Sequence, residues 1–299
     1  MALLHCDRKA ANKVVTWFFG LKILMRSRPG LVRLCTGVTM KFARFEVNGW
    51  QSYAVVEGDQ LRVIQGDLFG QHHFTDARYP ISNVKILPPT QPTSFWAVGL
   101  NYADHVAHQV ENLDAERIAR DAQTFRPWQK GVSCIIGQGD TVILPTESDY
   151  VHYEGELVIV IGKPARRITP ESAPDFILGY TCGNDISSEG SWHDDPSNWR
   201  KKTSDTFGPV GPWIETDLDP QSVDIITRIN GKETDRGNTS GMTFGCYETV
   251  SRISQFVTLH PGDLILTGAP GAVDALKPGD VVDVEIAEIG CLSNIVAAE

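Results

Sequence analysis

The alternation of apolar and polar residues predicts many short strands along this 299-residue chain. After Met40, three such segments follow one another closely. They are residues 42–47, 52–56 and 61–64. Asn48-Gly49 and Gly58-Asp59 separate them, and dipeptides of this kind form tight turns between antiparallel strands. The pattern therefore predicts a small β module over residues 40–90.

A larger domain is predicted over residues 91–299, after a connection that contains several prolines. Its strand-like segments are residues 95–99, 141–144, 157–161, 176–182, 225–229, 264–267 and 281–286. Two segments have helical periodicity: residues 113–122, which are highly charged, and residues 247–259, which have apolar residues on one face. Because strands and helices do not alternate regularly, a doubly wound parallel sheet is excluded. The pattern predicts an α+β fold that is mostly β.

The first 39 residues differ from the rest, with seven basic residues and one acidic residue, Asp7. A basic leader can be a targeting peptide, but this one has few hydroxyl residues and lacks a cleavage site after an apolar core. Our hypothesis is that residues 1–39 are upstream sequence from a start codon placed too early and do not belong to the fold. Mass analysis of the natively expressed N-terminus tests this, and a mature protein that begins at Met1 would contradict it.

Composition narrows the class of protein. The formal net charge of −10 and the pI of about 5.3 argue against nucleic acid or an anionic membrane as a partner. The six cysteines have no paired spacing, which favours buried free thiols in a reducing compartment, and hence a cytoplasmic location. No apolar run reaches the roughly 18 residues of a membrane-spanning helix.

Three carboxylates offer the clearest chemistry. Glu154 and Glu156 precede and begin an apolar strand, where alternate residues project from one face. Asp185 follows Asn184 at the end of another apolar segment. Neighbouring carboxylates repel one another unless a proton or a cation intervenes, and oxygen ligands of this kind suit Mg²⁺ or Mn²⁺. In such a site, Asn184 could orient a ligand from behind the carboxylates. The alternative is a strand edge whose acidic residues face water.

Three further segments could contribute to a site. His105 and His108 would share a helix face, and a neutral imidazole can act as a general base on water. They could equally be incidental surface residues or half of a zinc site. Lys202 lies in a basic run that could stabilise an enolate or form an exposed loop. Thr267 precedes a Gly/Pro turn that could bind a carboxylate.

Taken together and in order, these segments resemble the fumarylacetoacetate hydrolase family over residues 95–294. The motifs that carry the resemblance are Asn101-Tyr102-x-x-His105, Tyr153-Glu154-x-Glu156, Asn184-Asp185, Lys202-Thr203-Ser204-Asp205-Thr206-Phe207-Gly208-Pro209 and Gly262-Asp263-x-Ile265-Leu266-Thr267-Gly268-x-Pro270. The closing Pro278-Gly279-Asp280 and Gly290-x-Leu292-x-Asn294 also fit.

The resemblance implies a mixed β-roll catalytic domain, a homodimer, and a 2-oxo acid as the small-molecule substrate. The metal ligands that it implies are Glu154, Glu156 and Asp185, with Mg²⁺ or Mn²⁺ as the cofactor. The other site residues that it implies are Lys202 against the enolate, Thr267, Tyr102 and Asn184 in substrate binding, and His105 as the base that activates water.

One position departs from the family pattern. Hydrolases of this family commonly have a Glu three residues after the histidine, whereas this chain has His108. A carboxylate supports the basicity of an imidazole better than a second imidazole does, and His108 would have to take that catalytic role. We expect a C–C hydrolase of an acylpyruvate-like 2,4-dioxo acid. The alternatives are an isomerase, tautomerase, decarboxylase or hydratase of related 2-oxo diacids in aromatic catabolism, or a catalytically impaired metal-binding homologue.

Overall fold

The computed structural model describes the backbone of residues 13–18 and 21–26, and residues 40–102, 123–189, 197–271 and 274–299 in full apart from the side chain of Glu189. The chain divides into two compact units, Met1–Thr39 and Met40–Glu299. Within the first unit, Lys13–Phe18 (β1) and Leu21–Arg26 (β2) pair as an antiparallel hairpin. Both strands contain β-branched or long apolar residues, which favour extended backbone. The sequence pattern did not predict this hairpin.

The strands near the start of the second unit are β3 (Lys41–Val47), β4 (Trp50–Glu57), β5 (Gln60–Gly66), β6 (His72–Pro80) and β7 (Lys85–Leu87). The predicted three-strand meander is confirmed by the antiparallel pairing of β3 with β4 and of β4 with β5. Asn48 and Gly49 both have positive φ, as a tight hairpin turn requires. Strand β6 was missed because most of its residues are exposed, so it has no alternating apolar face.

The later strands are β8 (Phe95–Val98), β9 (Pro127–Lys130), β10 (Ile135–Ile136), β11 (Thr141–Leu144), β12 (Tyr150–His152), β13 (Gly155–Ile161), β14 (Ile177–Asn184), β15 (Ser187–Glu189), β16 (Gly208–Glu215), β17 (Asp224–Ile229), β18 (Lys232–Asn238), β19 (Leu264–Leu266), β20 (Val281–Ile286) and β21 (Gly290–Ala298). The described α-helices are α1 (Trp199–Thr203) and α2 (Cys246–Ser254), and short 3-10 helices span Ile81–Asn83, Val132–Cys134, Ala173–Asp175 and Thr239–Gly241.

One large mixed sheet dominates the second unit, in the order β6-β5-β4-β3-β16-β14-β13-β19-β8-β9, with β7 beside β3 and β10 beside β16. Pairing of β3 with β16 makes the N-terminal strands part of this sheet. A second sheet has the order β11-β21-β20-β17-β18. All seven residues of β13 are buried, and apolar clusters pack on both of its faces. The expected α+β, mostly β architecture is confirmed.

Two segments show where local pattern was insufficient. Strand β16 begins Gly208-Pro209-Val210-Gly211-Pro212, a composition unfavourable for strands, yet seven of its eight residues are buried between β3 and β14. Helix α2 ends at Ser254 and not at residue 259, so the predicted end was wrong. The Ser254 carbonyl accepts the Arg167 N–H at 2.8 Å, which satisfies the helix end from outside the helix. The predicted helix at 113–122 lies outside the described residues.

The cysteines of the described residues are free thiols, with Cys134, Cys182 and Cys246 buried and Cys291 exposed. Burial raises the pKa of Cys134 to about 11 and that of Cys246 to about 12, which keeps both thiols protonated and unreactive at neutral pH. Within the described part of the chain, no helix is long and apolar enough to cross a bilayer.

Candidate active site

Three carboxylates converge where the start of β13 lies beside the end of β14. Gly155 pairs with Asn184 in this antiparallel ladder, so Glu154 and Asp185 flank the pair on opposite strands. One oxygen from each of Glu154, Glu156 and Asp185 lies within 4.8 Å of the others. Strand β13 begins at Gly155, so Glu154 lies just before the strand and not within it. The predicted convergence of the three side chains is nevertheless present.

Two hydrogen bonds hold the backbone at this junction. The Glu154 N–H donates to Asn184 Oδ1 at 2.9 Å, and the Asp185 N–H donates to the Glu154 carbonyl at 2.8 Å. Asn184 is 1% exposed. Its side chain therefore positions the carboxylates, as a residue behind a metal site does. A direct contact between Asn184 and substrate stays a prediction.

Glu156 is almost fully buried, and its Oε2 accepts the Gly268 N–H at 2.6 Å. Burial raises the pKa of Glu156 well above its usual value, and the neighbouring Asp185 and Glu154 carboxylates raise it further. Gly268 has φ +99°, and a Cβ there would lie 2.9 Å from the Asn101 Cβ. Only glycine can bring this N–H so close to Glu156. The arrangement requires a proton or a cation.

Lys202 supplies a buried positive charge to the cluster. Its Nζ lies 2.5 Å from Glu154 Oε2 and 2.9 Å from Asp185 Oδ2. Burial by itself lowers the pKa of Lys202, but Asp185 and Glu154 outweigh burial and raise it, so the side chain remains an ammonium. The alternative that Lys202 belongs to an exposed basic loop is wrong, because this residue is 6% exposed.

Sequence reasoning missed two basic groups beside the carboxylates. The fully buried Lys130 Nζ donates to Asp185 Oδ1. A single lysine at the end of a short polar segment has no signal that separates it from a surface residue. The buried His152 has its Nδ1 3.8 Å from Glu154 Oε1. Its position two residues before Glu154 was the available clue.

The carboxylates and Lys202 face a cavity of about 230 Å³. Pockets that hold drug-sized ligands are typically about 300–1,000 Å³, so the described cavity suits a small ligand. Apolar side chains complete its wall, including Leu100, Trp128 and Ala269. Leu100 has φ +55°, an uncommon conformation for a bulky residue and one that concentrates at functional sites.

Of the remaining expected site residues, the structure describes Tyr102 and Thr267. The Tyr102 hydroxyl is buried without a hydrogen-bond partner in the described chain, and burial raises its pKa well above the usual value. The Thr267 hydroxyl donates to the Leu157 carbonyl at 2.8 Å and does not line the cavity. Substrate contacts by Tyr102 and Thr267 therefore stay predictions. His105 and His108 lie outside the described residues.

The donor set fits a divalent cation such as Mg²⁺ or Mn²⁺. Glu154, Glu156 and Asp185 offer only oxygen ligands, which these hard ions prefer. Burial, followed by the Asp185 and Glu154 carboxylates, raises the pKa of Glu156 even with Lys202 nearby, so a negative charge here lacks compensation. A divalent cation would supply the missing compensation.

Comparison with known proteins agrees with this geometry. Residues 94–297 match the model for the C-terminal domain of fumarylacetoacetate (FAA) hydrolase. Residues 40–89 match the Rv2993c-like N-terminal model. The first match covers the carboxylates, both lysines and the cavity.

Relatives and solved structures extend the comparison. The mitochondrial oxaloacetate tautomerase of Xenopus laevis is 38% identical over 71% of this chain and 68% of its own. The 5-carboxymethyl-2-hydroxymuconate delta-isomerase of Mycobacterium smegmatis is 36% identical, with a TM-score of 0.79, over 87% of this chain and 100% of its own. The maleylpyruvate hydrolase of Sphingobium sp. SYK-6, solved with manganese (II) and pyruvate, is 27% identical, with a TM-score of 0.69, over 87% of this chain and 99% of its own. The chain therefore belongs to the fumarylacetoacetate hydrolase family, which includes isomerases, tautomerases and hydrolases.

Proposed function

We propose that this protein is a divalent-metal-dependent enzyme that tautomerises or isomerises a small 2-oxo acid through its enol form. The observation that carries the proposal is the Lys202 ammonium, which is held between Glu154 and Asp185 at the cavity wall. Similarity to the tautomerase and the isomerase, at 38% and 36% identity, exceeds similarity to two solved hydrolases, at 30% and 27%. These values favour proton transfer over C–C cleavage.

The residue roles follow from charge and position. Glu154, Glu156 and Asp185 would hold Mg²⁺ or Mn²⁺, which supplies Lewis acidity when bound. Tautomerisation moves a proton between the carbon beside the 2-oxo group and the oxygen of that group, so negative charge develops on that oxygen. A fixed ammonium such as Lys202 stabilises this charge without reorganisation. Leu100 and Ala269 give the cavity an apolar wall against which the carbon chain of the substrate would pack.

A second candidate is the C–C hydrolase expected from the sequence. The match to the maleylpyruvate hydrolase solved with manganese and pyruvate favours it, since the match extends over 99% of that chain. This reaction needs a base that activates water, for which His105 remains the candidate. His108 in place of a glutamate weakens that role. Tautomerisation and isomerisation do not need an activated water, which is a further reason to place them first.

The test follows the ultraviolet absorbance of enol-oxaloacetate with Mg²⁺ or Mn²⁺ present. We expect the wild type to accelerate the loss of enol, and chelator to abolish this effect. Glu156→Gln and Lys202→Met should each lower kcat/KM by about 100-fold or more, which is the order expected when a charge-stabilising group is removed. The exposed Lys277→Met is the matched control and should retain the wild-type rate.

Full activity in chelator, or in Lys202→Met, would contradict the proposal. A parallel assay with acylpyruvates separates the two candidates, because hydrolysis releases pyruvate and tautomerisation does not. Rapid pyruvate release without enol turnover would favour the hydrolase. His105→Ala then tests the water-activating base, since it should abolish only the hydrolytic reaction.

A further inference from the structure

The turn of residues 267–271, which follows β19, places a backbone donor on Glu156. The Thr267 N–H and hydroxyl both donate to the Leu157 carbonyl, at 3.2 and 2.8 Å. This double contact fixes the start of the turn against β13. The Gly268 N–H then donates to Glu156 Oε2 at 2.6 Å, which leaves Oε1 of this carboxylate for a cation.

Asn101 holds the same turn from the side of β8. Strand β19 lies between β13 and β8 in the large sheet, and Asn101 follows β8 by three residues. Its Nδ2 donates to the Thr267 carbonyl at 2.7 Å and to the Phe244 carbonyl at 2.9 Å, while its Oδ1 accepts the Phe244 N–H at 2.8 Å. The residue is 1% exposed. Both N–H bonds and the oxygen of this buried amide are therefore committed to fixed backbone partners.

The same residue fixes part of the cavity wall. Leu100, which precedes Asn101, lines the cavity and has φ +55°. A bulky residue keeps this uncommon conformation only where the surrounding structure holds it. The Asn101 backbone contributes as well, since its carbonyl accepts the Thr243 N–H at 2.7 Å. The bonds of Asn101 thus hold both the Leu100 segment and the turn that reaches Glu156.

Strand β18 braces the far end of the turn. Gly237 of β18 lies against Pro270, and a Cβ at Gly237 would lie only 2.0 Å from the Pro270 Cβ. This distance is too short for two carbon atoms that are not bonded, so a side chain at Gly237 has to displace the turn. Gly237 therefore provides a way to move the turn that leaves the bonds of Asn101 chemically intact.

We propose that Asn101 is a positioning residue of the metal site. It holds the turn in place and so keeps the Gly268 N–H on Glu156 Oε2, which orients this carboxylate toward a divalent cation. Asn101 acts through Gly268 and does not itself contact the cation. The inference rests on the proposed function, because it assumes that Glu156 is a metal ligand.

The test measures Mn²⁺ binding by calorimetric titration. We expect Asn101→Ala to weaken Mn²⁺ binding at least tenfold, because groups that orient metal ligands typically contribute about 10–100-fold to affinity. Asn294→Ala is the matched control. Asn294 is 2% exposed, and its Nδ2 also donates to two carbonyls, those of Gly137 and Asp140, at 2.8 Å. Both variants should lower Tm, but Asn294→Ala should keep the wild-type Mn²⁺ affinity.

Gly237→Ala applies the same test without removing a hydrogen-bonding group, and it decides the question if Asn101→Ala does not fold. We expect it to weaken Mn²⁺ binding by about tenfold, because it displaces the turn that orients Glu156. Gly245→Ala is its control, because Gly245 has φ −64° and a Cβ there would meet nothing within 4 Å. This variant should keep the wild-type affinity.

The outcomes separate this inference from the proposed function. Wild-type Mn²⁺ affinity in Asn101→Ala, or an equal loss of affinity in Asn294→Ala, would overturn the inference. If Asn101→Ala does not fold, wild-type affinity in Gly237→Ala would overturn it. Absence of Mn²⁺ binding by the wild type would overturn the inference together with the proposed metal site. The expected Mn²⁺ affinities without enol turnover would support the inference and count against the proposed reaction alone.

Discussion

At the scale of single residues, burial determines how the carboxylate cluster behaves. Glu156 is 2% exposed, and Asp185 is 1% exposed, so water cannot screen their mutual repulsion. Lys130 and Lys202 offset part of that repulsion through direct contacts. Burial, together with the Asp185 and Glu154 carboxylates, raises the pKa of Glu156, and the opposing effects of the Gly268 N–H and Lys202 are smaller.

Glu156 should make metal-free stability depend on pH. Its pKa is raised above 4.5, so the folded protein keeps this proton to a higher pH than the unfolded chain does. Ionising Glu156 in the folded protein therefore costs stability. This cost is absent below about pH 4.5 and grows as the pH rises through the pKa of the folded state. In chelator, Glu156→Gln should gain Tm relative to the wild type between pH 5 and pH 8.

The exposed Glu288→Gln serves as the control and should show no such gain. Added Mg²⁺ should raise the Tm of the wild type, by the equivalent of about 2.7 kcal/mol at a concentration 100 times the Kd. The same addition should raise the Tm of Glu156→Gln much less. A Tm difference between variant and wild type that does not change with pH would contradict the prediction.

Lys130 should be important for stability even though it was not foreseen. Lys130→Met leaves Asp185 buried without one of its two ammonium partners. Removal of one member of a buried ion pair costs about 3–5 kcal/mol. Because Lys202 still contacts Asp185, we expect a loss near the lower end of this range. We expect the free energy of unfolding in chelator to fall by about 3 kcal/mol in urea denaturation. Lys163→Met, at an exposed position, should change it by less than about 0.5 kcal/mol.

At the scale of elements, the site depends on the register between β13 and β14. Gly155 pairs with Asn184, and this single pairing places the carboxylates of both strands side by side. A shift by one residue would turn the alternate side chains to the opposite face and separate them. The end of β19 supports the same junction, because Gly268 lies two residues after this strand ends and its N–H donates to Glu156.

Asn184→Ala tests this junction. It removes the acceptor of the Glu154 N–H and should leave the Glu154 side chain less well oriented. Residues behind metal ligands typically change affinity by about 10–100-fold, so we expect Mn²⁺ binding to weaken by at least tenfold in calorimetric titration. Asn83→Ala, at an exposed position, is the control. Unchanged Mn²⁺ affinity in Asn184→Ala would show that the junction does not orient Glu154.

At the scale of the whole molecule, the strands of residues 40–90 complete the central sheet. Strand β3 covers the edge of β16, and the Lys41 ammonium donates to the Ile289 carbonyl at 2.7 Å. The sequence pattern predicts a domain boundary near residue 90. Strands from both sides of that boundary nevertheless belong to one large sheet. Residues 1–39 form the separate compact unit. The expected homodimer stays a prediction that analytical ultracentrifugation can check.

Two truncations should behave differently. A chain that begins at Met40 retains the whole large sheet, and we expect its Tm to lie within about 2 °C of that of the full chain, which corresponds to less than about 1 kcal/mol. A chain that begins at residue 91 lacks β3 and exposes the edge of β16, so we expect aggregation or loss of cooperative unfolding. Thermal unfolding followed by circular dichroism measures both. A soluble, cooperative chain from residue 91 would contradict this account.

The sequence by itself determined the strands whose residues alternate or form continuous apolar runs, such as 157–161 and 281–286. It also indicated Glu154 and Glu156, which are two residues apart beside an apolar run, although Glu154 lies just before β13 and not within it. The ordered motifs identified the family before any contact was known.

Only the tertiary structure decided which distant groups meet those carboxylates. Lys130 and Asp185 are 55 residues apart, and Lys202 and Glu154 are 48 apart. Periodicity shows that a side chain is buried, but not what it faces across the fold. The same limit applies to Asn101 and the turn that it holds, since Asn101 and Thr267 are 166 residues apart. Local sequence therefore predicts the candidate metal ligands, whereas sheet topology decides their counter-charges and the wall of the cavity.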